Sequence, residues 1–176
     1  LVRADVSGIQ SSIYDIISKG AAKNLKGRSF YIQLLIESVL QKLLKTLDLP
    51  QANIVYSSGG GFYVLAPNTQ KVTEELQKFR LLIEDAVFKE HGTTLYVAID
   101  NIELSKDTLL NKSIETLGEQ WAGLTEKLSV LKRQRYSHRL VSDYATFFEP
   151  GETGGTGPKD AITGEEFTAL DLQELF

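Results

Sequence analysis

An α+β fold, a four-stranded antiparallel sheet with its long helices on one face, is predicted by three observations. Short β-rich runs alternate with long amphipathic stretches along the chain. Two of the β-rich runs are joined by Ser58-Gly59-Gly60-Gly61, a hairpin signal. The amphipathic stretches repeat apolar residues at three- and four-residue steps, the period of one helix face.

The first ten residues alternate Val2, Ala4 and Val6 with Leu1, Arg3 and Asp5, then reach Ser7-Gly8-Ile9-Gln10, which reads as a strand ending at a turn. Ser11 to Lys19 reads as a short helix with Ile13, Ile16 and Ile17 on one face, stopped by Gly20. Lys26-Gly27-Arg28-Ser29 is expected to open a long helix ending before Pro50. Its buried stripe is read as Phe30, Leu34, Val39, Leu43 and Leu47, widened by Tyr31, Leu35 and Leu44.

Asn53 to Ser57 and Phe62 to Ala66 are the hairpin strands. Thr69 to Glu90 is the next helix, its core stripe Val72, Leu76, Phe79, Ile83 and Val87. Leu95 to Ile102 is apolar almost throughout, which suits a central strand. The order strand, helix, helix, strand, strand, helix, strand is the ferredoxin-like βααββαβ pattern. Phe30, Leu34, Leu76, Phe79 and Ile83 should then pack on Val6, Val55, Val64 and Val97. A further amphipathic helix is expected over Leu109 to Leu131, with Trp121 as packing and Lys132-Arg133-Gln134-Arg135 as a basic step behind it. Residues 1–145 read as one domain, and residues 146–176 as a linker and the start of a following domain. Pro150 to Pro158 is rich in glycine, a turn-rich stretch with little to bury, and residues 150–160 are expected to be mobile.

Composition removes several classes. The 176 residues carry a net charge of −4, so general attraction to nucleic acid does not follow. There is no cysteine, which excludes disulfides and thiolate metal sites and suits a cytoplasmic protein. No apolar run is long enough to span a bilayer, so no membrane role is expected. The chain starts at Leu1 within a strand, and reads as a piece of a longer polypeptide.

Three features carry chemistry, and each has a plainer structural reading. Asp5, with Ser7 beyond it, ends the first strand and is a candidate metal ligand; a strand Asp also pairs locally. The Ser57-Ser58-Gly59-Gly60-Gly61 hairpin offers hydroxyls and bare backbone to a nucleotide. Glycine-rich hairpins are often only turns, although three glycines suggest close backbone approach by something bulky. Lys26 and Arg28 at a helix start would form a phosphate cradle with the free N–H groups there. Solvated cations at that end oppose the helix dipole, at a cost of roughly 0.3–1 kcal/mol. His91 and His138 read as surface residues.

The segments Asp5-Val6-Ser7-Gly8-Ile9-Gln10, Gly20-Ala21-Ala22-Lys23 with Leu25-Lys26-Gly27-Arg28-Ser29-Phe30-Tyr31, and Tyr56-Ser57-Ser58-Gly59-Gly60-Gly61-Phe62 follow one another at natural spacing. Together they resemble the first palm domain, GGDEF- or cyclase-like, of the Csm-type large subunit of type III-A CRISPR complexes. The resemblance covers roughly residues 1–145, and Ile162 to Phe167 resembles the passage into that family's middle domain.

The resemblance implies an ATP-binding palm that faces a second palm of the same polypeptide. The second palm would hold Mg2+ or Mn2+ on a Gly-Gly-Asp-Asp hairpin and make cyclic oligoadenylate. An HD domain elsewhere would cut single-stranded DNA. Guide RNA, target RNA and other effector subunits are the implied partners. No His-Asp dipeptide occurs here, so the HD domain lies outside this chain. Without cysteine, zinc has no thiolate site in this segment.

The hairpin reads Gly60-Gly61 where an active palm would carry two carboxylates. Metal-assisted nucleotidyl transfer needs such carboxylates, so the chain alone is expected to be inactive. The implied nucleotide-binding set is Asp5, Ser7, Lys26, Arg28, Ser57, Ser58, Gly59, Gly60 and Gly61, with no catalytic residue. A purely structural palm that scaffolds complex assembly is the alternative. A GGDEF-type signalling cyclase is disfavoured by the missing hairpin acids and by Ser7-Gly8-Ile9-Gln10.

Overall fold

The computed structural model describes residues 1–14, 21–110, 112 and 116–148. Its sheet has four antiparallel strands in the order β2-β3-β1-β4, where β1 is Val2–Ser7, β2 Ile54–Ser58, β3 Gly61–Val64 and β4 Tyr96–Asn101. A short helix α1 (Ile9–Tyr14) and a long helix α2 (Ala21–Leu47) separate β1 from β2. Helix α3 (Gln70–His91) links β3 to β4. Beyond β4 come α4 (Lys106–Leu109), α5 (Leu117–Arg133), α6 (Ser137–Ser142) and α7 (Tyr144–Phe147). This is the expected α+β architecture.

The alternation of β1 sorts its side chains to two faces. Val2, Ala4 and Val6 join Phe62, Val64, Val97 and Ile99 in a core roofed by α2 and α3. The other face, expected to be free of helices, is covered by α5: Leu124 and Leu128 pack with Leu1, Tyr96, Ala98 and Tyr136. By the strand order, β4 is an edge strand and not a central one. Its continuous apolar run reflects burial on both faces.

The stripe of α3 is as read: Leu76, Phe79, Ile83 and Val87 are buried, and Thr69 caps the helix by accepting from the Val72 N–H. The stripe of α2 is as read at Val39, Leu43 and Leu44, which are buried, and at Tyr31, Leu35 and Leu47, which pack against the core, but not at Phe30 and Leu34. Ile32, Ile36, Val39, Leu40, Leu43 and Leu44 face the core, while Phe30 is 60% and Leu34 49% exposed. Val55, also expected in the core, is 52% exposed on the edge strand β2.

Lys26 and Arg28 do not open the long helix. The helix already runs from Ala21, and Gly27 lies inside it. The first helix begins at Ile9 and not Ser11, and its expected extension to Lys19 lies outside the described residues beyond Tyr14. The single helix read over Leu109–Leu131 is two, α4 and α5, the latter entered through a Thr116–Glu119 capping box. Residues 150–160 and the proposed following domain lie outside the described residues.

Candidate functional site

The β2–β3 hairpin is tight. Ser58 pairs with Gly61, and the two residues between them, Gly59 and Gly60, have φ of 64° and 84°. Positive φ at both positions is the type I′ turn, which matches the strand twist and favours glycine. The Val6 N–H donates to the Gly60 carbonyl at 2.9 Å, fastening the tip to the end of β1.

The glycine run has an internal explanation. A β-carbon on Gly60 would stand 2.6 Å from Ile9 Cδ1, and one on Gly61 would stand 2.7 Å from the Ala4 carbonyl oxygen. The bulky neighbours expected from the sequence are thus β1 and α1 of the same chain. Neither position has room for a carboxylate-bearing side chain without local rearrangement.

On the α2 side of the hairpin lies a cavity of about 540 Å3. Ile9, Ile13, Ile32 and Ile36 give it apolar walls. Ser57, Ser58, Gly59 and Gly60 close it from the hairpin, and Ser29, Gln33 and Glu37 bring polar groups from α2. An apolar cleft with a few convergent polar groups is the usual form of a small-molecule site. Four of the residues singled out in the sequence line it. The α1 and α2 walls were not read from the sequence.

Arg28 does not line this cavity. It is only 8% exposed, and its Nη1 donates to the carbonyl oxygen of Ser12 in α1. The side chain thus fastens α1, which carries Ile9 and Ile13, onto α2. Lys26 is exposed on α2. The phosphate cradle expected at a helix N-terminus is therefore not formed by these two residues.

Asp5 belongs to the opposite face of the sheet from Lys26 and Arg28. It is in register with Gly61 on β3 and Ala98 on β4. Its Oδ2 accepts from Lys132 Nζ at 2.8 Å and from Arg3 Nη2 at 3.3 Å. Arg3 also donates through Nη1 to Thr125 at 2.6 Å, and its guanidinium lies 5.0 Å from the centre of the Tyr63 ring. Tyr63 in turn packs on Trp121, with ring centres 4.4 Å apart. Among the described residues no group of three or more His, Cys, Asp or Glu side chains comes together. Ser7 ends β1, and Gly8 beyond it has φ of 90° and no room for a β-carbon, which would lie 2.0 Å from the Thr94 carbonyl oxygen.

Two further groups were missed by the sequence reading. His91 is half-buried, its Nε2 2.7 Å from the Tyr31 hydroxyl, and burial holds its pKa below the ordinary histidine value. A second cavity, about 320 Å3, is lined by Arg80, Glu84, Tyr96, Gln134, Ser137 and His138 among others. Arg80 Nε and Glu84 Oε1 are buried there without a hydrogen-bond partner. Burial raises the Glu84 pKa above the ordinary carboxylate value, while the His138 charge pulls the other way. Both sites depend on residues brought together from different elements, which local pattern does not disclose.

Among the described residues no helix is long and apolar enough to cross a membrane. The profile of the Csm1 subunit domain B family matches residues 1–150. The CRISPR system single-strand-specific deoxyribonuclease Cas10/Csm1 (subtype III-A) of Mycobacterium tuberculosis is 36% identical over 164 residues, which are 88% of this chain and 20% of that protein. Its counterpart in Enterococcus italicus is 37% identical over 137 residues, 78% of this chain and 18% of that protein. The chain spans about one fifth of the length of these relatives. The crystal structure of a Csm1-Csm4 cassette in complex with one ATP superposes with a TM-score of 0.66 at 31% identity, covering 77% of this chain and 19% of that one. A cassette in complex with cA3 gives the same values.

Proposed function

This chain belongs to the Csm1 subunit domain B family, and on that premise we propose that it is an ATP-binding, non-catalytic half-site of a type III-A CRISPR large subunit. The observation that carries this is the 540 Å3 cavity between the hairpin and α2, walled by isoleucines and rimmed by Ser57, Ser58, Ser29 and Gln33. Its apolar walls suit a flat nucleobase, and its serines suit ribose or phosphate oxygens. Csm1-Csm4 cassettes that share this fold over part of their length are solved in complex with one ATP and with cA3.

In this reading residues 1–145 form the palm and residues 146–176 lead into a following domain. A second palm elsewhere in the polypeptide supplies the carboxylates and the Mg2+ or Mn2+ for cyclic oligoadenylate synthesis. Guide and target RNA, and the neighbouring effector subunits, govern the whole in the cytoplasm. The part played by this chain is to bind and orient nucleotide at the shared face.

Titration of ATP into the chain, followed by amide NMR, tests the reading. Shifts concentrated at Ile9, Ile32 and Ser57–Gly60 are expected. An unchanged spectrum at millimolar ATP, in the chain and in the two-palm protein alike, would sink it. One observation favours the alternative, a structural palm that scaffolds assembly: packing within the chain accounts for Gly60 and Gly61 without any ligand. Assembly lost on substitution at the cavity with ATP affinity intact would select the scaffold.

A further inference from the structure

Asp5 and Lys132 are 127 residues apart in sequence, and their side chains meet at 2.8 Å. Arg3 reaches the same carboxylate oxygen at 3.3 Å. One negative charge beside the hairpin is thus matched by two positive ones, delivered by β1 and by the last turn of α5. All three side chains are largely shielded: Lys132 is 28%, Asp5 25% and Arg3 17% exposed.

This surrounding does not fit a divalent cation. Such an ion takes about six oxygen ligands, usually with more than one carboxylate. Gly61, the cross-strand neighbour of Asp5, has no donor side chain and no room for one. The two nearest charged groups would repel the ion. We propose that Lys132 is a resident counter-cation, holding the position at Asp5 that a metal would otherwise take, so that this domain presents nucleotide with no metal of its own. The proposal deepens the nucleotide-binding reading and rests on it for its functional meaning, but the ion pair is tested separately. Unlike a bound metal, the tethered ammonium does not exchange with solvent ions, and it couples the hairpin end of β1 to α5. It is a positioning group and not a catalytic one.

The test is paramagnetic broadening of backbone amides by Mn2+ alone, without nucleotide, on the 176-residue chain. In the unaltered chain the amides of Asp5, Val6 and Gly61 should stay sharp while exposed carboxylates elsewhere broaden. Lys132→Met removes the charge and keeps the stem, and should bring broadening at these three amides at about tenfold lower Mn2+ than in the parent. Lys132→Glu adds a second carboxylate and should lower it by about a further tenfold. If the charge reversal fails to fold, Lys132→Met carries the test alone. Early broadening in the unaltered chain, or variants that respond no sooner than it does, would overturn the proposal. A parallel ATP titration reports on the cavity independently, so failure of nucleotide binding is seen apart from the Mn2+ result.

Discussion

Ile9 and Gly60 stand so close that the Cδ1 of the first lies 2.6 Å from where a β-carbon on the second would be. Helix α1 thus rests on the hairpin tip, and both line the 540 Å3 cavity. Gly60 also holds φ at 84°, where an L-residue costs roughly 1–2 kcal/mol. Gly60→Ala should lower stability by about that amount and push Ile9 into the cavity. Urea unfolding with an ATP titration checks it; full stability and full affinity together would refute the close approach.

Arg28→Ala should act through α1. The buried guanidinium is fastened to the Ser12 carbonyl, and charge-assisted hydrogen bonds of this type contribute roughly 1.5–3 kcal/mol. Amide exchange at Ile9–Tyr14 should accelerate, and ATP affinity should fall by about tenfold as Ile9 and Ile13 lose their seating. Weakened ATP binding with α1 exchange unchanged would instead indicate direct contact between Arg28 and the ligand.

The corrected face of α2 gives a stability contrast. Ile36→Ala removes a core side chain and should cost about 2–5 kcal/mol. Phe30→Ser and Leu34→Ser change exposed positions and should stay within about 0.5 kcal/mol of the parent. Chemical denaturation of the three variants decides between the two possible stripes.

Glu84 gives a pH dependence of definite sign. Its folded pKa is raised, chiefly by burial, so between the ordinary carboxylate value of 4.5 and the higher folded value the native state holds more protons than the unfolded chain. Glu84 should therefore lower stability as pH rises through that window, and exert a constant penalty above it. Glu84→Gln removes this component. The stability difference between variant and parent should grow from pH 4.5 upward and then level off; a flat difference would count against partial burial of the Glu84 carboxylate as the cause.

The chain alone should make no oligoadenylate from ATP with magnesium or manganese. An acidic residue introduced at Gly60 or Gly61 should fail to rescue synthesis, because it would first have to displace Ile9 or the Ala4 carbonyl. Product from the purified 176-residue chain, free of any second palm, would contradict this.

Why some features were legible and others were not is a matter of range. The hairpin was readable because Gly59 and Gly60 satisfy a local backbone demand, and α3 because its core residues repeat in one unbroken stripe. Helix α2 carries apolar residues on more than one side, and Phe30 and Leu34 fit a helical period as well as Ile32 and Ile36 do. Lys26-Gly27-Arg28-Ser29 read as a helix start, yet Gly27 lies inside α2, and an interior glycine costs only about 1 kcal/mol, which tertiary packing outweighs. The Asp5–Lys132 pair spans most of the chain, beyond the reach of any local pattern. The basic run at Lys132 was visible, but not what it faces.

The placement of α5 has a geometric consequence. With α2 and α3 on one side of the sheet and α5 on the other, β1, β3 and β4 are covered on both faces, whereas β2 stays largely exposed. In the proposed reading, the rim where Ser57–Gly60 meets α1 is where a neighbouring domain would share a ligand with this one.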